Sequence, residues 1–222
     1  MATFTNQATL TYSGGTTSSN ITTGELLEVL TASKTAVVPT YRSGRPITYL
    51  ITLVNSGAAA LNGLTVTDDL GGYTFGANTV YPLAYTAGSV RYYQNGALQA
   101  APAVTAGPPL TISGITVPAG GSALLLYEAQ TNGYAPPAAG SSITNTAQIT
   151  GEGVGTPITA QATVTAGETL RLTISKCMSP TSVVENGTVT YTFYLQNSGN
   201  TATADSDFVV VTDTFNPVLL RH

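Results

Sequence analysis

The segment ITYLITLVNSG, beginning at Ile47, returns as VTYTFYLQNSG at Val189, and Ser33-Lys34 returns as Ser175-Lys176, both at a spacing of 142 residues. A chain that repeats its strand-forming segments at a fixed period builds a row of similar modules. The run LTVTDDL at Leu64 also returns, as VVVTDTF at Val209, and the chain then ends at His222. The second module therefore reads as incomplete. FTNQATLTY at Phe4 resembles ITNTAQITG at Ile143, which belongs to the closing strands of the complete module. The expected organisation is a strand hairpin and candidate donor strand over residues 1–25, a complete repeat over 26–167, and an incomplete second repeat over 168–222.

Within the complete repeat, short runs rich in Val, Ile, Thr, Tyr and Leu alternate with Gly, Pro, Asn and Ser clusters. The spacing is that of a sandwich with a turn every 8 to 12 residues or so. Residues 47–55, 64–68, 90–93, 110–116, 123–131, 143–150 and 158–165 are the expected strands, preceded by one more. Asn95-Gly96 lies between two such runs and reads as a type I′ hairpin turn, whose central positions both need positive φ. Charged residues make up 8% and hydrophobic residues 42% of the chain, a balance poor for amphipathic helices. The expected fold is an all-β, immunoglobulin-like antiparallel sandwich with one complete module, a truncated second module and an N-terminal hairpin.

Charge and residue usage exclude several classes of function. A net charge of −4 with scattered Lys and Arg offers no footprint for a phosphate backbone, so nucleic acid is not an expected partner. The longest apolar stretches, such as residues 123–126, are far shorter than the roughly 18 residues of a spanning helix, so no membrane insertion is expected. The one histidine is His222, which removes an ordinary Ser-His-Asp triad and His-based zinc sites. No enzyme, cofactor or metal is expected. The acidic groups Asp68-Asp69 and Asp205-Ser206-Asp207 lack calcium-loop spacing and read as solvated turns. One cysteine, Cys177, excludes an internal disulfide and leaves a candidate bond between chains.

Ser-Lys, then Gly44 before ITYLITLVNSG, then VTDDL, then ITNTAQIT, in that order, resembles the bacterial surface-repeat family called domain of unknown function eleven. The resemblance covers most of residues 26–167 and, in truncated form, 168–222. It implies tandem immunoglobulin-like or adhesin-like repeats of large surface proteins, with no cofactor. An extracellular location, on a cell or spore surface, is expected on that basis, although the first residues show neither a basic nor an apolar region of a signal peptide.

The chain has two lysines, and both fall at the same repeat position. Strand alternation places Lys34 with Leu30, Ala32 and Ala36, Asp68 with Leu64 and Val66, and Asn145 with Ile143, Ala147 and Ile149. By the same parity Lys176 falls with Leu172 and Ile174, Asp213 with Val209 and Val211, and Asn6 with Phe4 and Leu10. All six polar residues are expected to face inward, where an unpaired charge is costly. Two readings follow. One is an autocatalytic isopeptide bond of Lys34 to Asn145 assisted by Asp68, similar to collagen-adhesin-type domains, which use such a set on first, middle and last strands. The other is a buried Lys-Asp ion pair with the Asn hydrogen-bonded beside it. Lys176 and Asp213 lack an Asn in their own module, and Asn6 of a neighbouring chain is the candidate to supply it as an intersubunit crosslink.

The expected function is a structural fibre subunit whose partner is itself, joined head to tail by strand complementation. The alternative is an adhesin-like binding module, or a fragment of a larger surface repeat protein, with a carbohydrate or protein ligand. Tyr73, Tyr81, Tyr85, Tyr92, Tyr93, Tyr127 and Tyr134 are the candidate aromatic patch for such a ligand, although tyrosines more often simply fit pleated, half-buried strand surfaces.

Overall fold

A computed structural model of the chain describes residues 2–26 and 28–215. Alternation of apolar and polar residues, interrupted by glycine turns, produces strands almost throughout. The first four are β1 (Ala2–Asn6), β2 (Thr9–Tyr12), β3 (Gly15–Ser18) and β4 (Thr22–Leu26). β1 pairs with β4 and β2 with β3, both antiparallel, so the segment is one long hairpin that turns at Ser13-Gly14. Phe4, Leu10, Tyr12 and Ile21 are all exposed on it.

The complete module follows: β5 (Leu30–Ala36), β6 (Thr40–Tyr41), β7 (Pro46–Asn55), β8 (Leu61–Asp68), β9 (Tyr73–Phe75), β10 (Asn78–Val80), β11 (Leu83–Tyr85), β12 (Arg91–Gln94), β13 (Ala97–Leu98), β14 (Ala103–Thr105), β15 (Leu110–Val117), β16 (Ser122–Thr131), β17 (Ser142–Thr150) and β18 (Ile158–Ala166). Two six-stranded sheets face each other. One runs β13-β12-β16-β7-β5 with β11 also on β16, and the other runs β14-β15-β8-β17-β18-β6. The Asn95-Gly96 turn has φ of 47° and 81°, the positive pair that a type I′ hairpin requires.

The core lies between the sheets. β7 contributes Ile47, Tyr49, Ile51 and Leu53, β16 contributes Leu125, Tyr127 and Ala129, and the opposite sheet supplies Leu64, Val66, Ile112, Ile115 and Ile149, all buried. β7 and β16 are central strands with strict alternation of buried and half-exposed residues, as a sheet covered on one face demands. Gly114, at φ 80°, takes up a register shift between β15 and β8.

The chain divides into two compact units, residues 1–135 with 143–164, and 136–142 with 165–222. In the second, β19 (Leu172–Ser179) pairs with β20 (Thr190–Asn197) as an isolated two-stranded sheet. The repeat holds to the level of single hydrogen bonds. Asn55 accepts from Gly57 N and donates to Ala59 O, and Asn197 accepts from Gly199 N and donates to Thr201 O. Gly44 and Asn186, 142 residues apart, both adopt left-handed backbone, with φ of 69° and 59°. Yet every residue of β19 is exposed, because no second sheet covers it among the described residues.

Leu125→Ala in the covered core is expected to lower the unfolding free energy by about 2–5 kcal/mol. Ile174→Ala at an uncovered position should change it by less than about 0.5 kcal/mol. Urea denaturation followed by circular dichroism compares the two.

Candidate functional site

Lys34 occupies an inward position of β5, and its backbone partner on β7 is Ile51. Asp68 ends β8 on the face of Leu64 and Val66. The two meet across the core: Lys34 Nζ donates to Asp68 Oδ2 at 2.6 Å, and both side chains have 0% exposure. A buried pair of this kind persists only if its remaining donors and acceptors are also engaged. Tyr127 Oη donates to the same Oδ2 at 2.6 Å, and Leu70 N donates to Asp68 Oδ1 at 3.1 Å. Asn145 Nδ2 donates to Tyr127 Oη at 2.9 Å. The bonds therefore run Lys34, Asp68, Tyr127, Asn145, and link both sheets through the centre of the sandwich.

The local backbone is built to hold this set. Leu70 adopts left-handed backbone at φ 51°, a conformation costing a non-glycine residue roughly 1–2 kcal/mol. The bond from its amide to Asp68 and that from Gly71 N to Asp69 Oδ1, at 2.8 Å, hold the turn. Asp69 Oδ1 also accepts from Thr146 N at 2.9 Å, while Asp69 N donates to Thr146 O. This clamp fixes β17 one residue from Asn145. Asp68 and Asp69 thus divide the work, one in the core and one on the backbone.

Burial lowers the Lys34 pKa, against the opposing attraction of Asp68. Burial also raises Tyr49 and Tyr127 above the ordinary tyrosine value, with the Asp68 charge acting in the same direction. The Tyr49 and Tyr127 rings stack at 5.5 Å, and Lys34 Nζ lies 5.1 Å and 6.0 Å from their centroids. Asn145 lies near enough to Tyr49 Oη to favour its ionised form. Nevertheless, neither Tyr49 Oη nor Asn145 Oδ1 has a partner at hydrogen-bond geometry. Chemically, the set combines an amine disposed toward neutrality, an anionic acceptor and a primary amide with a free carbonyl oxygen.

Lys34, Asp68 and Asn145 are thus brought into one network, but Asn145 reaches the charged pair through Tyr127, and its strand is next to last in the module. Tyr127 and Tyr49 are the members that sequence reasoning missed. Their signal was present, since Tyr127 alternates with Leu125 and Ala129, and Tyr49 returns as Tyr191. Tyr127 and Tyr92, expected in a surface aromatic patch, are core residues, because both point inward from their strands. Tyr81, Tyr85 and Tyr134 line a surface groove of about 400 Å3 with Leu83 and Pro108.

In the second unit Lys176 Nζ donates to both oxygens of Asp213, at 2.6 Å and 2.7 Å. It lies 4.1 Å from the Tyr191 centroid and 5.3 Å and 5.7 Å from those of Phe193 and Phe215. The expected inward placement of Lys176, Asp213 and Asn6 needs correction. The Lys176 and Asp213 side chains are 36% and 24% exposed, and Asn6 is exposed on the hairpin. Lys176 shares a face of β19 with Leu172 and Ile174, but no opposing sheet covers that face among the described residues, and Asp213 lies outside any strand. Cys177, on the other face of β19, is free and exposed.

No protein-family model matches the sequence, and neither does any of the curated proteins. Solved structures do. The major pilin subunit BcpA of Bacillus cereus has a TM-score of 0.50 at 15% identity, over 87% of this chain and 64% of that one. The major pilin SpaD of Corynebacterium diphtheriae has a TM-score of 0.46 at 11% identity, over 67% and 41%. The pilus backbone protein RrgB of Streptococcus pneumoniae has a TM-score of 0.44 at 13% identity, over 55% and 31%. The likeness is one of fold. The chain spans less than two thirds of the length of each of these three proteins.

Lys34→Ala strands Asp68 in the core and is expected to cost about 3–5 kcal/mol, whereas Lys176→Ala, at a partly solvated pair, should cost no more than about 1 kcal/mol. Denaturant midpoints of the two variants measure the difference.

Alkali gives a second check. The raised folded-state pKa of Tyr49 and Tyr127 means that their contribution to stability is complete below the unfolded value of about 10 and is lost as pH rises through the folded values. Lys34, lowered in the fold, acts oppositely, since stability rises between its folded pKa and about 10.4. Tyr49 and Tyr127 should remain protonated above the ordinary tyrosine value of about 10 and should titrate only as the fold is lost. Ultraviolet titration of tyrosinate reads this directly.

Proposed function

We propose that this chain is a structural subunit of a pilus-like fibre on a cell or spore surface, a member of the surface-repeat family it resembles, and that copies join head to tail by strand complementation. The observation that carries the reading is a pair of uncovered and matching surfaces. The N-terminal hairpin exposes Phe4 and Leu10, and the β19–β20 unit exposes Leu172, Ile174, Met178, Leu195, Val209, Val211 and Phe215. Burying such groups yields about 25 cal/mol per Å2 of apolar surface. Strand edges left unpaired invite another strand. A strand added at an edge contributes backbone hydrogen bonds, with side-chain pockets for specificity. The two surfaces differ, so the contact is heterologous and extends into a filament when its rotation does not close. The pilin fold of BcpA, a major pilin subunit, supports a sandwich of this kind as a fibre unit.

The Lys-Asp-Asn sets give the fibre a covalent lock. In module one the amine of Lys34 would attack Asn145 Cγ, forming a C–N bond while Nδ2 departs as ammonia. Of the two protons the ammonium gives up, one completes the ammonia and the other remains on the Asp68 carboxylate. Across copies, Lys176, Asp213 and the Asn6 of the next chain would react in the same way.

Light scattering should show species that grow with concentration, and Leu10→Asp or Ile174→Asp should suppress them without weakening the sandwich. A monodisperse monomer at high concentration would contradict the fibre and favour the adhesin-like alternative. Intact mass tests the lock separately: each bond expels ammonia and lowers the mass by about 17 Da, in a step favoured by positioning. Lys34→Ala should abolish the internal loss, and Asn6→Ala any denaturant-resistant ladder. An unchanged mass with no ladder leaves the ion pair alone.

A further inference from the structure

We infer that the hairpin enters the second unit of a neighbouring copy as two strands at once, in the register that β17 and β18 hold in the complete module. This rests on the fibre reading and specifies its interface.

The complete module supplies the template. Its second sheet runs β8-β17-β18-β6, so the closing hairpin lies between β8 on one side and β6 on the other. In the second unit the counterpart of β8 is the segment 209–213, and the 142-residue spacing places the counterpart of Thr40-Tyr41 at Ser182-Val183. Neither segment is paired in a strand. Both expose what module one buries, since Tyr41, Leu64 and Val66 are covered while Val183, Val209 and Val211 are not. What separates the two counterparts in the template is two strands wide.

The N-terminal hairpin has the matching form. Phe4, Asn6, Ala8 and Leu10 correspond to Ile143, Asn145, Ala147 and Ile149, four residues that are all buried in β17. Its cross-strand pairing is alike. Thr5 lies opposite Thr23, and Thr144, the counterpart of Thr5, likewise meets a threonine across its hairpin, the Thr163 hydroxyl at 2.9 Å. The hairpin is therefore already folded as the closing pair of a sandwich, and donation of a single strand would have to break it. In module one Ala147 lies opposite Asp68, Gln148 opposite Thr67 and Ile149 opposite Val66. Transferred to the neighbouring copy, Ala8 faces Asp213, Thr9 faces Thr212 and Leu10 faces Val211. Asn6 then lies two residues beyond Ala8, as Asn145 does beyond Ala147.

The test is disulfide trapping with hydrogen exchange on the full chain, with Cys177→Ser as background. Thr9→Cys combined with Thr212→Cys should give a reducible chain-to-chain ladder. The pair Thr11→Cys with Thr212→Cys, two residues out of register, should give roughly tenfold less, because diagonal positions exceed disulfide reach. In assembled material the amides of 182–183 and of 209–213 should both slow in exchange. Assembly with an off-register crosslink, or with protection confined to 209–213, would overturn the two-strand docking and leave the fibre standing. Absence of any species larger than a monomer would remove the fibre reading and this inference with it.

Discussion

A lysine ammonium and an aspartate carboxylate meet at 2.6 Å in the middle of this sandwich, with neither side chain accessible to water. Desolvating two ions costs several kcal/mol each, and their attraction offsets this only where geometry and further hydrogen bonds are good. That requirement explains the surroundings: the Tyr127 hydroxyl and the Leu70 amide on Asp68, two tyrosine rings beside Lys34, and an acidic turn that clamps β17. It also constrains register. A one-residue slip of β5, β8 or β17 would turn a charged or amide side chain to the wrong face and leave its partner unpaired in the core. The pair adds little stability over an apolar alternative, while removing one partner is costly because the other is left buried and unpaired.

Much of this was legible because strand side chains alternate. Parity alone predicted that Lys34, Asp68 and Asn145 share the interior, and the repeat singled out the two lysines before any contact was known. All seven expected strands of the complete module form, within a few residues of the expected ends. The segment between Tyr73 and Thr105 was less legible, since β9, β10, β11 and β14 are three residues each, too short for alternation to register. Tyr127 stayed open between a ligand patch and strand packing because tyrosine suits both a half-exposed strand and a core with a polar partner. Which of these a given tyrosine does depends on a residue 59 positions away, Asp68, and no local pattern reveals that.

The second unit shows what the same sequence pattern does without an opposing sheet. Lys176 and Asp213 find each other, the Asn197 turn reproduces that of Asn55, and β19 pairs with β20 in the register of β5 with β7. Local structure and short-range pairing are therefore carried by the repeat itself. Burial is not, since it needs strands from elsewhere, and among the described residues the exposed hairpin is the element that repeats the closing strands of the complete module. On the proposed reading, fold and interface share one logic, in which a module is finished by whichever closing hairpin reaches it.

Sedimentation velocity on a mixture of two blocked variants tests this most directly. Leu10→Asp spoils the hairpin and keeps an open second unit, while Ile174→Asp spoils the second unit and keeps the hairpin. Each alone should be monomeric, and the two mixed should form a one-to-one dimer and stop there, because a single good donor then meets a single good acceptor. A mixture that stays monomeric, or variants that each assemble as readily as the unaltered chain, would contradict head-to-tail joining through these surfaces.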